Sequence, residues 1–248
     1  QRKLQALSIA YSNEEREIHR RLNDYCASRE KDAEKTGNSF GTAFVNRLLK
    51  KRLFSSPAAF ASTLEKHVAS LSNGVRPKTP DVMADRILHK AILKVEEDYA
   101  DDQEAENAQS DAVEEASRRA QPLTREQQRL LDDLREWAQR AKNQTDAKAE
   151  AILDWLSANL KKGGQWNDRR VILFTEYRTT HQWMHEILAS HGFGGERLGI
   201  LHGGLTQDER EPIKAAFQAS PEDSPVRILL ATDAASEGID LQNHCNCL

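Results

Sequence analysis

The strongest constraint on the fold lies in residues 169–248, where three short apolar runs alternate with stretches of helical spacing. Residues 171–175 read VILFT, 197–201 read RLGIL and 226–231 read VRILLA. Branched, apolar runs of this length are what strands buried on both faces require. After the first run, Trp183, Met184, Ile187 and Leu188 fall on one side of a helix; after the second, Ile213, Ala216 and Phe217 do the same. The connections are too long for hairpins, so a parallel, doubly wound α/β sheet is the economical solution. Ligands of such sheets sit beyond the carboxyl ends of the strands. Those ends carry Thr175-Glu176-Tyr177, His202-Gly203-Gly204 and Thr232-Asp233, the last followed by Ser236, Glu237, Gly238 and Asp240. Function is expected on that rim.

The preceding two thirds read as helices. Residues 3–11 are a weak strand candidate, and Ser12 with Glu15 then fits a capping box, followed by an Ile18, Leu22, Tyr25 stripe. A second helix is expected over 40–54, with Phe44, Val45, Leu48 and Leu49 inward. Ser56 caps a third, with Pro57 at its first position and Asn73-Gly74 at its close. Ile87, Leu88, Ala91, Ile92 and Val95 support a further helix. The acidic run after it, ten carboxylates and no Lys or Arg over 96–117, offers almost nothing to bury and predicts a mobile segment or a solvated helix. Thr124 with Gln127 opens a helix carrying Leu130, Leu131, Leu134 and Trp137; another over 146–160 ends at Gly163-Gly164. The expected division is 1–12, 13–79 (helical connection), 80–122 (acidic insert), 123–168 (helical lead-in) and 169–248 (α/β unit).

The formal net charge of −4 argues only superficially against a polyanionic partner. Without the acidic run, 29 carboxylates face 35 Lys and Arg, so a basic groove elsewhere is compatible with the total. Three cysteines make no disulfide framework, and no apolar run approaches membrane-spanning length. A soluble chain in a reducing cytoplasm, with no membrane partner, is the expectation.

Three pieces in order resemble one family. VILFTEY resembles motif IV of superfamily 2 helicases, LHGGLTQDER the motif that follows, and ILLATDAASEGIDLQ motif V. The form SEGIDLQ is more like the Swi/Snf-like double-stranded DNA translocases than the DEAD-box RNA helicases. YSNEEREIH and LLKKRLFSSPAAF resemble the connection between lobes in bacterial members related to the RNA-polymerase-associated translocase. The resemblance implies a RecA-like second motor lobe over 169–248, cut short after motif V, with 1–12 as the tail of the first lobe. It implies nucleic-acid contact by Thr175, Gly203, Gly204, Arg210, Thr232, Ser236 and Gly238, and ATP contact by Gly238 and Asp240. It implies ATP and Mg²⁺ in the full-length protein, neither held by this chain alone, and a bacterial cytoplasmic or nucleoid setting. Partners would be duplex DNA and the first motor lobe of the same polypeptide.

The sequence also departs from the family. No G-x-x-x-x-G-K-[ST] occurs, no acidic magnesium motif, and no arginine-bearing motif VI. Hydrolysis by this chain alone is therefore not expected, and no catalytic residue is assigned to it. A silent helical adaptor that binds a protein partner, and a DEAD-box-like RNA helicase, are the alternatives. Thr232-Asp233 serves equally as a helix cap, and Asp240 as a turn residue bonding its own backbone. Arg210 and Lys50-Lys51-Arg52 have the ordinary reading of solvated charge. His181 and His185 share the spacing of zinc pairs but lack a nearby third ligand, and Cys245 and Cys247 read as small buried thiols. The motor reading requires the loops leaving all three strands to converge in one open groove.

Overall fold

The structure, a computed structural model, describes residues 6–36, 39–72, 82–95, 99, 101–235, 245 and 247. Among the described residues six α-helices come first: α1 (Asn13–Thr36), α2 (Ser39–Ser55), α3 (Pro57–Ser72), α4 (Val82–Lys94), α5 (Asp102–Arg118) and α6 (Arg125–Ala141). Then follow α7 (Ala147–Leu160), β1 (Lys161–Lys162), β2 (Gln165–Trp166), β3 (Val171–Thr175), α8 (Arg178–Ser190), β4 (Leu198–Leu201), α9 (Gln207–Gln218) and β5 (Ile228–Thr232).

Local sequence starts several of these helices. Ser12 and Glu15 exchange bonds of 2.7 and 3.2 Å at the head of α1, and Thr124 with Gln127 does the same for α6. Ser56 Oγ accepts the Ala59 N–H at 3.1 Å, with Pro57 opening α3. Packing holds them in place. Leu22, Tyr25, Leu49, Phe60, Leu64, Leu131 and Leu134 are each at most 1% exposed in one shared core. Each such side chain contributes about 2 kcal/mol by leaving water, about twice what a single cap supplies. His67 is buried here between Tyr25 Oη and Ser117 Oγ, 2.7 Å from each, and burial pushes its pKa down to about 3.

Four expectations need correction. Residues 6–12 form neither strand nor helix. Ile87 points to solvent at 52% exposed, while Leu88 and Ile92 carry that helix's buried side. Gly163-Gly164, both at positive φ, do more than end α7: they turn a two-residue hairpin between β1 and β2. The largest correction concerns the acidic run. From residue 102 onward it is α5, a helix that is more than solvated: it buries Ala112, Val113 and Ala116 in the common core, and Ala108 is buried as well. The apolar stripe was present but made of small residues, and small residues let helices approach closely. The carboxylates sit on the remaining faces, where Arg52 meets Glu106 at 2.5 Å and Arg118 and Arg119 meet Glu114 and Glu115.

The sheet is parallel throughout, in the order β3-β5-β4, with Val171 and Leu198 both level with Ile228. All five residues of β5 are buried. Ile228 and Leu230 face α7 and α8, whereas Leu229 and Ala231 face Phe217 of α9, so helices cover both faces as the alternation predicts. Cys247 bridges in parallel to Val171, on the β3 edge away from β5; Cys245 and Cys247 are half-buried rather than buried.

The amino end of the sheet is closed by two arginines. Arg170, fully buried, donates to the carbonyls of Val226 (3.0 Å), Phe217 (2.5 Å), Ala219 and Ser220. Arg227 donates to those of Asn167 (2.8 Å), Ser224 (2.6 Å) and Pro221 (2.9 Å).

Candidate functional site

Because β3, β4 and β5 are parallel, their carboxyl ends meet at one edge, and the sequence-predicted residues that are described gather there. Thr175 ends β3 level with Thr232 at the end of β5. Gly203 and Gly204 form the turn after β4, ahead of α9, whose start is set by a Thr206–Glu209 capping box. Pro212 lies inside α9, deeper than a first-turn position, and removes one helical N–H. Ser236, Gly238 and Asp240 lie outside the described residues, so the expected ATP contacts have no structural account.

The ends of the three strands converge, but the edge they form is not open. Thr232 is 0% exposed and Gly203 is buried. What covers them is the first turn of α5. One carboxylate oxygen of Asp102 accepts the Gly203 N–H at 2.7 Å and the Thr232 hydroxyl at 2.6 Å, and Asp102 is itself 7% exposed. One residue earlier, Asp101 caps α5 by accepting the Gln103 N–H at 2.9 Å. A methyl group on Gly204 would sit 3.3 Å from that same Asp101 oxygen. One turn on, Glu106 accepts the Thr179 hydroxyl at 2.8 Å and its N–H at 3.3 Å, at the amino-terminal turn of α8. Helix amino termini and loop N–H groups attract anions. Here three carboxylates supply the negative charge.

The cations at this edge are engaged as well. Arg210 donates to Leu205 O at 2.9 Å and to Gly203 O, so it shapes the glycine turn. Arg178 lies 3.0 Å from His181 Nδ1. Arg52 stacks over the Tyr177 ring, 3.8 Å from its centroid, while pairing with Glu106, and Lys51 meets Glu176 at 3.3 Å. Of the Lys50-Lys51-Arg52 cluster, then, Arg52 is a buried link between α2 and α5 and not a solvated charge. His181 packs under the edge with Nε2 at 3.2 Å from Leu230 O, and burial lowers its pKa to about 4. Burial and then Arg178 also lower that of His202, so both rings are neutral near pH 7. Burial, with Glu176 and Asp102 nearby, raises the pKa of Asp233. Among the described residues no group of three or more His, Cys, Asp or Glu is placed to hold a metal ion.

Asp102 and Glu106 are the residues that sequence reasoning missed. Their run reads as solvated charge, and the available signal was the small-residue stripe that fixes which way α5 faces.

Comparison with known proteins addresses the same part of the chain. Residues 147–247, from α7 onward, match the family model described as Helicase conserved C-terminal domain. ATP-dependent RNA helicase DBP3 of Phaeosphaeria nodorum is 30% identical over 95 residues, 38% of this chain and 14% of that protein. Uncharacterized ATP-dependent helicase YqhH of Bacillus subtilis is 33% identical over 79 residues, 32% and 13% respectively. Pre-mRNA-splicing ATP-dependent RNA helicase PRP28 of Kluyveromyces lactis is 34% identical over 73 residues, 29% and 12%. The matched parts thus span only about an eighth of the length of these curated relatives. No solved structure matches the chain. No helix among the described residues is long and apolar enough to cross a membrane.

Proposed function

We propose that the RecA-like helicase C-terminal domain of residues 147–247 is the second motor lobe of an ATP-dependent translocase on duplex DNA, of the Swi/Snf-like kind. The observation that supports this reading is the gathering of Thr175, Gly203, Gly204 and Thr232 at one edge of the parallel sheet within the matched domain. Backbone N–H groups, hydroxyls and glycines grip a sugar–phosphate chain without reading its bases, as a motor that tracks any sequence must. Thr232, Gly203 and Gly204 would hold phosphates, with Ser236 and Gly238 continuing the surface. Arg210 would act by fixing the glycine turn. Asp240 and Gly238 would face ATP held by the other lobe, the carboxylate accepting a ribose hydroxyl. The chain has no phosphate-cradling P-loop of its own, so the other lobe would supply it together with Mg²⁺. The helical region would join the two lobes.

The test is ATP hydrolysis by the polypeptide that unites this lobe with its P-loop lobe, with duplex DNA and with single-stranded RNA. Stimulation by duplex DNA, lost on Thr232→Ala or Asp240→Ala, is the expected result; no stimulation by either nucleic acid would remove the reading. A second reading, an RNA motor, is favoured by the names of two of the relatives above, and stimulation by RNA alone would select it.

A further inference from the structure

The edge that would hold phosphates is already filled from within. Asp102 and Glu106 occupy three kinds of donor at once: a loop N–H, a buried threonine hydroxyl and the first turn of a helix. These are the donors a phosphodiester would use, because a carboxylate and a phosphate present the same acceptor oxygens and the same sign of charge.

The way α5 is anchored bears on whether this contact can open. Ala112, Val113 and Ala116, in its last two turns, are at most 2% exposed and locked in the helical core. Its first turns are mainly polar, Asp102, Gln103, Glu104, Glu106 and Asn107, and of these Asp102 and Glu106 reach the edge. Unwinding a first turn leaves the apolar anchor in place and frees Gly203 and Thr232 together. Helix ends also open at far lower cost than helix centres.

Resting on the reading of this edge as a phosphate grip, we propose that the amino-terminal carboxylates of α5 are an autoinhibitory stand-in for the nucleic-acid backbone. Nucleic acid binds the edge only by displacing Asp102 from Gly203 and Thr232. The resting state grips its own acidic helix, and a polyanion in high local concentration exchanges with it.

The experiment measures binding of fluorescein-labelled duplex DNA and single-stranded RNA to the 248-residue chain at low salt, by anisotropy. Asp102→Asn is expected to tighten binding roughly tenfold, the factor appropriate to removing one charge-assisted competitor. The gain should vanish when Thr232→Ala is added. Glu104→Gln, an exposed carboxylate on the same helix, controls for the general effect of removing a negative charge and should shift affinity by less than about twofold. Hydrogen exchange on the unmutated chain gives a reading that needs no variant to fold: amides of 101–107 and of Gly203 should lose protection when DNA is added.

Equal affinity of the parent chain and Asp102→Asn, or retained protection over 101–107 in the DNA complex, would overturn the autoinhibitory contact and leave the motor reading standing. Failure of both proteins to bind either nucleic acid would overturn both.

Discussion

The two ends of the same three-stranded sheet are sealed in opposite ways. At the amino end, Arg170 and Arg227 carry donors to backbone carbonyls of the α/β unit and of Asn167 just before it, from residue 167 to residue 226. At the carboxyl end the polarity reverses: the sheet presents N–H and O–H donors, and the acceptors come from a different part of the chain, α5. The first seal is self-contained, so nothing in the surroundings can replace it. The second depends on carboxylates borrowed from the helical region, so another anion can take their place. The difference teaches which end is structure and which is available for chemistry.

The comparison breaks if the amino end proves easy to change. Arg170→Met should cost about 3–5 kcal/mol in urea unfolding, because the Phe217 and Ala219 carbonyls lose a buried donor, without altering the nucleic-acid affinity of the folded fraction. A loss under about 1 kcal/mol would mean that these carbonyls find other partners, and the contrast between the ends would fall.

At the carboxyl end, Glu106→Ala leaves Arg52 charged in a site where its side chain is 5% exposed. A loss of about 3 kcal/mol is expected, less than a fully enclosed pair would give since Gln109 and the Tyr177 ring remain beside Arg52. Unlike Arg170→Met, this change should also raise exchange at the Thr179 amide.

pH separates the regions further. His67 and His181 are held neutral, at about 3 and about 4 against an ordinary 6.5. The unfolded chain therefore binds protons that the folded one refuses. Stability is full above about 6.5 and falls as pH drops towards 4, by about 2 kcal/mol per ring at pH 5. His67→Phe should flatten the curve through the helical region alone and leave edge binding unchanged; an unaltered urea midpoint slope between pH 7 and 5 would contradict the buried neutral assignment.

The smallest expected effect is Thr206→Ala, which removes the α9 cap and should cost about 1 kcal/mol in the same assay.

Much of this architecture is legible in residue order. Capping boxes at Ser12 and Thr124 and the apolar stripes of α1, α3, α6 and α8 are local signals, set by neighbours three or four residues away. VILFT and the alternating faces of β5 are equally local. The edge was legible only in its donors. Its acceptors come from a residue 130 positions away in sequence from Thr232, carried on a helix whose small buried side hid among carboxylates. Charge near a strand end reads as solvation when nothing local says what it faces. The KKGGQW hairpin was available to reading, since paired glycines between short polar runs are a turn signal, but two-residue strands leave no periodicity to support it.

One consequence of the strand order concerns time. Among the described strands, β3 and β4 share no ladder; each is joined to the other through β5, the last of those strands to leave the ribosome. The described three-stranded sheet therefore cannot begin to zip until residue 228 has been synthesised, a delay of the kind that slows non-local topologies. The helical region, complete by residue 141, has a head start. During synthesis the acidic guest is seated before its host exists, and the edge is occupied from the moment it forms.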